Sequence, residues 1–100
     1  MSGKLQKLVQ DMSLVKGNVN LMNEIIDQSN RDEALSETLE DMFRAMTQLE
    51  PKLINMIGRL DDEQAMNMVL LVNDDLHKTF DRYHALKAGR TPAKFVPGET

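Results

Sequence analysis

Cysteine is missing from this 100-residue chain. That excludes a disulfide framework and a thiolate metal site, and it suits a reducing compartment. Aromatic residues amount to only 4%, and runs of β-branched residues are absent, so the usual material of strands is missing. Proline occurs only at Pro51, Pro92 and Pro97. Basic charge is in deficit: 12 Lys and Arg against 16 Asp and Glu give a formal net charge of −4. General nucleic-acid binders and binders of anionic membranes need a basic face, so neither class fits. No stretch approaches the roughly 20 apolar residues of a membrane span. The start, Met1-Ser2-Gly3-Lys4, is not followed by the unbroken apolar run of a signal peptide. What remains is rich in Leu, Met, Glu, Gln, Lys and Ala, all good helix formers. The length and composition predict one all-α domain with a compact core.

Periodicity predicts three helices. In the first, from about Lys4 to Gln28, Leu5, Leu8, Met12, Val15, Val19, Met22 and Ile26 recur every three or four residues on one face. Ser2 is a candidate N-cap. The segment Ser29-Asn30-Arg31-Asp32 forms the turn, with Asn30 or Asp32 able to cap the next helix. The second helix spans about Glu33 to Leu60, with Leu35, Leu39, Met42, Phe43, Met46, Leu49, Leu53, Ile57 and Leu60 in phase. Pro51 interrupts its chemistry but not its phase, which predicts a kink. Asp61 and Asp62 are cap candidates for the third helix, with Gln64 completing a loose capping box with Asp61. That helix, from about Glu63 to Leu86 or Lys87, carries the stripe Ala65, Val69, Val72, Leu76, Phe80 and Tyr83. Gly89 is a stop signal. Short turns between three helices predict an antiparallel up-down-up three-helix bundle. Its boundaries are residues 5–88, with a disordered start over 1–4 and a flexible tail over 89–100. The methionines, eight in number, fall mostly on core phases, where a flexible thioether fills gaps.

Catalytic chemistry is not written here. Asp74, His77, Asp81 and His84 line one side of the third helix. A zinc site needs ligands converging on a point, and a straight helix offers two. No Ser/His/Asp arrangement or phosphate loop stands out. The unabsorbed feature is surplus apolar surface. Leu14, Leu21 and Ile25 form a second ridge on the first helix, a quarter to a third of a turn from the first. It either packs at the edge of an interhelical groove or meets a partner. Met66 and Leu70, one turn apart, lie roughly 80–120° off the third-helix stripe, with Asp74 extending the row. Apolar residues beside a carboxylate suit a partner with an apolar patch ringed by basic groups. Gly17, in mid-helix, costs about 1 kcal/mol relative to Ala. Close packing, a partner's approach or chance accounts for it equally.

The run Val69-Leu70-Leu71-Val72-Asn73-Asp74-Asp75-Leu76, followed by Phe80 and Tyr83, resembles the third helix of the GAT domain of GGA adaptors and target-of-Myb proteins. Asn18-Val19-Asn20-Leu21-Met22-Asn23-Glu24-Ile25-Ile26 is similar to the family's first helix. Leu39, Met42, Met46, Leu53, Ile54 and Ile57 match the second, and Pro51 matches a proline of some GGA members. The likeness runs from about Leu5 to Leu86, and the first helix looks closer to the target-of-Myb branch. It implies a non-catalytic adaptor, needing no cofactor, that binds ubiquitin on sorted cargo at endosomal or trans-Golgi membranes.

Two ubiquitin sites follow from the resemblance. One falls on Leu21, Glu24 and Ile25, with Glu37 and Asp41 from the second helix. The other falls on Met66, Leu70 and Asp74. Thr38 departs from the leucine of GGA members, which points to a weaker or shifted first site. Small footprints of this kind give weak complexes that multivalency tightens. The family usually carries a VHS domain upstream. A Tollip-like endosomal partner is a further candidate for the same surfaces. Arf GTPase binding in GGA proteins uses an extra N-terminal helical hook. The segment before the bundle is too short here to hold one, so Arf binding is not expected. The expected state is a monomer without membrane insertion. The alternative is self-association of the first helix through its heptads, Leu5, Met12, Val19 and Ile26 at one position and Leu8, Val15 and Met22 at the other.

Overall fold

The computed structural model describes residues 3–28 and 33–98, without the side chains of residues 4 and 33–35. The candidate caps Ser2, Asn30 and Asp32, and the side chain of Leu35, lie outside the described residues. Four helical segments follow one another: α1 (Gly3–Gln28), α2 (Glu33–Thr47), α3 (Leu49–Ile57) and α4 (Glu63–Lys87). α2 and α3 together form the middle rod of a three-helix bundle. Its hydrogen-bond ladder breaks at Gln48, which stays right-handed helical at φ −74° and ψ −18°. Pro51 has no N–H to offer the Thr47 carbonyl, so one rung is missing while the helical path continues. The Thr47 hydroxyl bonds back to the Arg44 carbonyl at 2.8 Å just before the break.

Cross-helix contacts fix the topology. Lys87 meets Glu40 at 3.5 Å and His77 meets Glu50 at 3.4 Å, so the middle rod runs antiparallel to α4. Asn23 bonds Thr79 and Asp27 pairs with Arg82, while Lys16 lines a trough with Met68 and Leu71. Rising numbers on α1 therefore meet rising numbers on α4, and the two run parallel. The bundle is up-down-up and elongated, 46 × 20 × 19 Å.

The core is built from the predicted stripes. Leu8, Met12, Val15, Val19, Met22 and Ile26 are buried on α1, and Ala65, Val69, Val72, Leu76, Phe80 and Tyr83 on α4. Leu39, Met46 and Leu53 are buried between them, with Met42 and Phe43 half-buried. The Phe43 ring stacks on Tyr83 at 4.3 Å and meets Phe80 edge-on at 5.2 Å. Both heptad positions of α1 thus face the chain's own core, which removes the seam that self-association of that helix would need.

Asp62, rather than Asp61, caps α4. Its carboxylate accepts from the Gln64 and Ala65 N–H groups at 2.9 and 3.4 Å. Replacing Asp62 by Ala is expected to cost about 1 kcal/mol, read by urea unfolding; an unchanged midpoint would remove the cap from the account. At the other end, Gly89 takes φ +76°. Its N–H reaches the Leu86 carbonyl and the Arg90 N–H reaches Ala85, at 3.1 and 2.8 Å. This is a Schellman closure, which glycine at this position makes easy.

Two expected boundaries move. Residues 3 and 4 already belong to α1, inside the segment expected to be disordered. Residues 91–98 form a strap along α4, not a free tail. Arg82 Nε donates to the Ala93 carbonyl at 2.6 Å and Lys78 Nζ to that of Val96 at 3.3 Å. The Gly98 N–H donates to the Asp75 carboxylate at 2.9 Å. Phe95 packs against the core cluster. The cause is a polar cluster under the strap, centred on Arg82, which is only 6% exposed. Its guanidinium also donates to the Asn23 carbonyl at 2.6 Å and pairs with Asp27. Asn23 donates to the Thr79 hydroxyl and the Val19 carbonyl, each at 2.8 Å, and Thr79 donates to the Asp75 carbonyl at 2.8 Å. Buried polar groups need partners, and the strap backbone supplies one of them.

Candidate partner-binding ridges

α1 turns its main stripe inward and leaves Leu14 and Leu21 outside, 69% and 48% exposed. Ile25, the third member of that ridge, is half-buried against the core. Glu24, three residues after Leu21 on α1, is exposed, and Glu37, Thr38 and Asp41 on α2 are exposed as well. Asp41 lies 3.9 Å from Arg44 in a pair open to solvent, which adds little stability. On α1 itself the exposed Leu21 thus has one exposed carboxylate nearby in sequence, that of Glu24.

Gly17 sits between Leu14 and Leu21 in sequence. A Cβ placed there meets nothing within 4 Å, so intramolecular packing does not explain the glycine. Gly17→Ala is expected to stabilise the domain by about 1 kcal/mol. Thermal unfolding checks this, and a destabilised variant would reveal a backbone need for glycine.

On α4, Leu70 is 44% exposed, Met66 is half-buried and Asp74 is exposed. Asp74 pairs with Lys78 at 3.3 Å. Leu70 and Asp74 line an open trough of about 790 Å³ together with Lys16, Gln64, Asn67, Met68 and Leu71. Met66 is not part of that trough. The predicted row is thus divided: Leu70 and Asp74 border the trough, and Met66 does not. Lys16, Met68 and Leu71 were not singled out by the sequence as site residues. Their signal was weak, because Met68 and Leu71 fall on the opposite flank of the α4 stripe from Met66. Ile54 on α3 is a further exposed apolar residue, off the buried stripe of the middle rod.

The histidines of α4 have other company. His77 pairs with Glu50 at 3.4 Å, and the His84 ring meets Phe43 edge-on at 5.2 Å. Both tie α4 to the middle rod.

The fold therefore presents two partly exposed apolar ridges on a rigid helical frame. The GAT domain family profile matches residues 16–89. The chain belongs to the GAT domain family. The match ends at Gly89, the residue that closes α4, so the strap lies outside it. Among curated proteins the chain is similar to TOM1-like protein 2 of Mus musculus and of Homo sapiens, each 26% identical over 93 residues. It is also similar to Target of Myb1 membrane trafficking protein of Gallus gallus, 28% identical over 91 residues. These alignments cover 88–90% of this chain and 18% of each relative, so this GAT domain spans under a fifth of the length of the relatives it matches. No solved structure gives a significant match. No helix among the described residues is long and apolar enough to cross a membrane.

Proposed function

We propose that this GAT domain is a non-catalytic adaptor module that binds ubiquitin on cargo during vesicular protein sorting, as part of a protein recruited peripherally to endosomal or Golgi membranes. The observation that carries this reading is the exposure of Leu21 and Leu70. Each stands at the crest of a ridge with carboxylates beside it, Glu24 on α1 and Asp74 on α4. An apolar centre with an acidic rim suits a small, weakly held partner whose apolar patch is ringed by basic groups. The membership in the GAT family and the trafficking name of the Gallus gallus relative support the setting.

On this reading Leu21 and Ile25 supply apolar contact at the first site, with Glu24 and Asp41 at its rim. Met66 and Leu70 supply it at the second, with Asp74 at the rim. Each footprint is small, so each complex is weak and exchanges fast, and affinity comes from engaging several sites at once. The test is a titration of unlabelled ubiquitin into the isotope-labelled domain, following amide shifts. Shifts gathered around Leu21–Ile25 and Met66–Asp74 support the reading. Silence at millimolar ubiquitin sinks it, and a Tollip-like endosomal adaptor is then the next ligand to titrate.

A further inference from the structure

Among the described serines and threonines, the fold leaves one outside its helices. Ser13, Ser36, Thr38, Thr47 and Thr79 all lie within α1, α2 or α4, and Thr91 alone does not. Thr91 is also exposed. An enzyme that modifies a hydroxyl must enclose the target and its neighbours in a cleft. A serine or threonine within a helix meets that need only after the helix opens, and opening a core helix costs up to the full stability of the domain. Thr91 needs no helix opened.

Its neighbours narrow the class of enzyme. The sequence reads Arg90-Thr91-Pro92-Ala93-Lys94, and Thr91-Pro92 is the only Ser-Pro or Thr-Pro pair in the chain. Pro92 keeps the residue before it away from helical backbone and has no N–H to donate. Proline-directed kinases use that lack. They offer no acceptor at the position after the target, so any other residue there buries an unpaired N–H. Lys94 sets an exposed cation three positions after the target. Kinases of this class that carry a phosphorylated activation loop can pair that cation with the phosphate.

The seat of the strap opposes the same reaction. Ala93 lies between Pro92 and Lys94, inside the segment that a kinase must enclose, and its carbonyl accepts from Arg82 Nε at 2.6 Å. The Val96 carbonyl accepts from Lys78 Nζ at 3.3 Å, and Phe95 packs against the core cluster. One side of the segment is therefore closed by α4 until the strap lifts. Of residues 91–98, only Pro92, Phe95 and Gly98 are half-buried, so lifting them costs much less than opening a helix.

We propose that Thr91 is a phosphorylation site for a proline-directed serine/threonine kinase, and that the seating of residues 91–98 against α4 limits the rate. In the reaction the Thr91 Oγ1 atom attacks the γ-phosphorus of ATP. A new O–P bond forms and the bond from that phosphorus to the β–γ bridging oxygen breaks. ADP leaves, and the hydroxyl proton passes to the catalytic aspartate of the kinase. The site uses no residue of the ridges at Leu21 and Leu70, so it stands apart from ubiquitin binding.

The test incubates the full chain, and separately a synthetic peptide of residues 87–98, with a purified cyclin-dependent kinase–cyclin complex, magnesium and ATP. Mass spectrometry locates the phosphoryl group and follows its rate of incorporation. Incorporation is expected at Thr91 of the chain, to vanish in Thr91→Ala and to slow at least fivefold in Lys94→Ala. The peptide is expected to react at least tenfold faster than the chain. Lys78→Ala, which frees the Val96 carbonyl without changing any residue from 87 to 98, is expected to raise the rate of the chain at least twofold. A chain that stays unmodified at Thr91, or incorporation that survives Thr91→Ala unchanged, overturns the site. Equal rates for peptide and chain overturn the control by the strap. That last comparison uses the wild-type sequence alone, so it decides whether or not a variant folds.

Discussion

Replacing Arg82 by Ala is expected to lower the stability of the domain by about 3 kcal/mol, equivalent to a fall of about 15 °C in melting temperature for a domain of this size. The guanidinium joins three parts of the chain at once. It bonds Asn23 and Asp27 of α1 and the Ala93 carbonyl of the strap, from a position on α4. Truncation leaves the Asn23 carbonyl without its donor beneath the strap and removes the stem that fills the space. The comparison that separates hub from surface ion pair is Asp27→Asn. The Asp27 side chain is 64% exposed, so solvent screens its charge and its loss is expected to cost less than about 1 kcal/mol. Urea unfolding of both variants gives the answer. If Arg82→Ala costs no more than Asp27→Asn, the buried network contributes little and the α1–α4 pairing rests on the apolar stripes alone.

The second large effect concerns binding. Leu70→Asp is expected to weaken ubiquitin binding at the α4 ridge at least tenfold, and Leu21→Asp to do the same at the α1 ridge. Central apolar residues carry most of the energy of an interface, and an aspartate there meets the partner's apolar patch with an unpaired charge. Both positions are nearly half exposed, so stability should move by less than about 1 kcal/mol. The readout is per-site: Leu70→Asp should remove shifts around Met66–Asp74 and leave those around Leu21–Ile25, and the converse for Leu21→Asp. Retention of the Met66–Asp74 shifts in Leu70→Asp would remove the α4 ridge from the binding surface. Combining the two substitutions should abolish binding, since the ridges lie on different helices.

The stripes were legible because helical period is a local property. Met12, Val19 and Met22 of α1, and Val69, Val72 and Leu76 of α4, are buried where their spacing placed them. The exposure of Leu21 and Leu70 was legible for the same reason, as residues displaced from those stripes. Arg82 was not. Its three partners stand 11, 55 and 59 residues away, and no periodicity connects them. Pro92, Pro97 and Gly98 carry loop chemistry, and from that alone a free tail is the expectation where the strap lies. Proline and glycine mark the absence of helix and do not say whether an extended segment is docked. Asp61 and Asp62 were both candidates for the cap of α4, because adjacent aspartates offer the same chemistry. Only the carboxylate geometry at Gln64 and Ala65 separates them.

The strap also gives the domain a mechanical property. It doubles back from Gly89 and brings Gly98 beside Leu71, 16 residues before the end of α4, which is about 24 Å along the helix at 1.5 Å per residue. The Gly98 N–H bonds Asp75, midway along α4, so the strap reaches the middle of the rod. Tension applied at Gly98 toward the far end first breaks the bond to Asp75, then that to Lys78, then that to Arg82, one at a time, before any helix bears load. Peeling frees about 27 Å of extended chain and takes the Ala93 carbonyl away from Arg82. Residues 91–98 are thus the first part of the described chain that a pull at Gly98 loads.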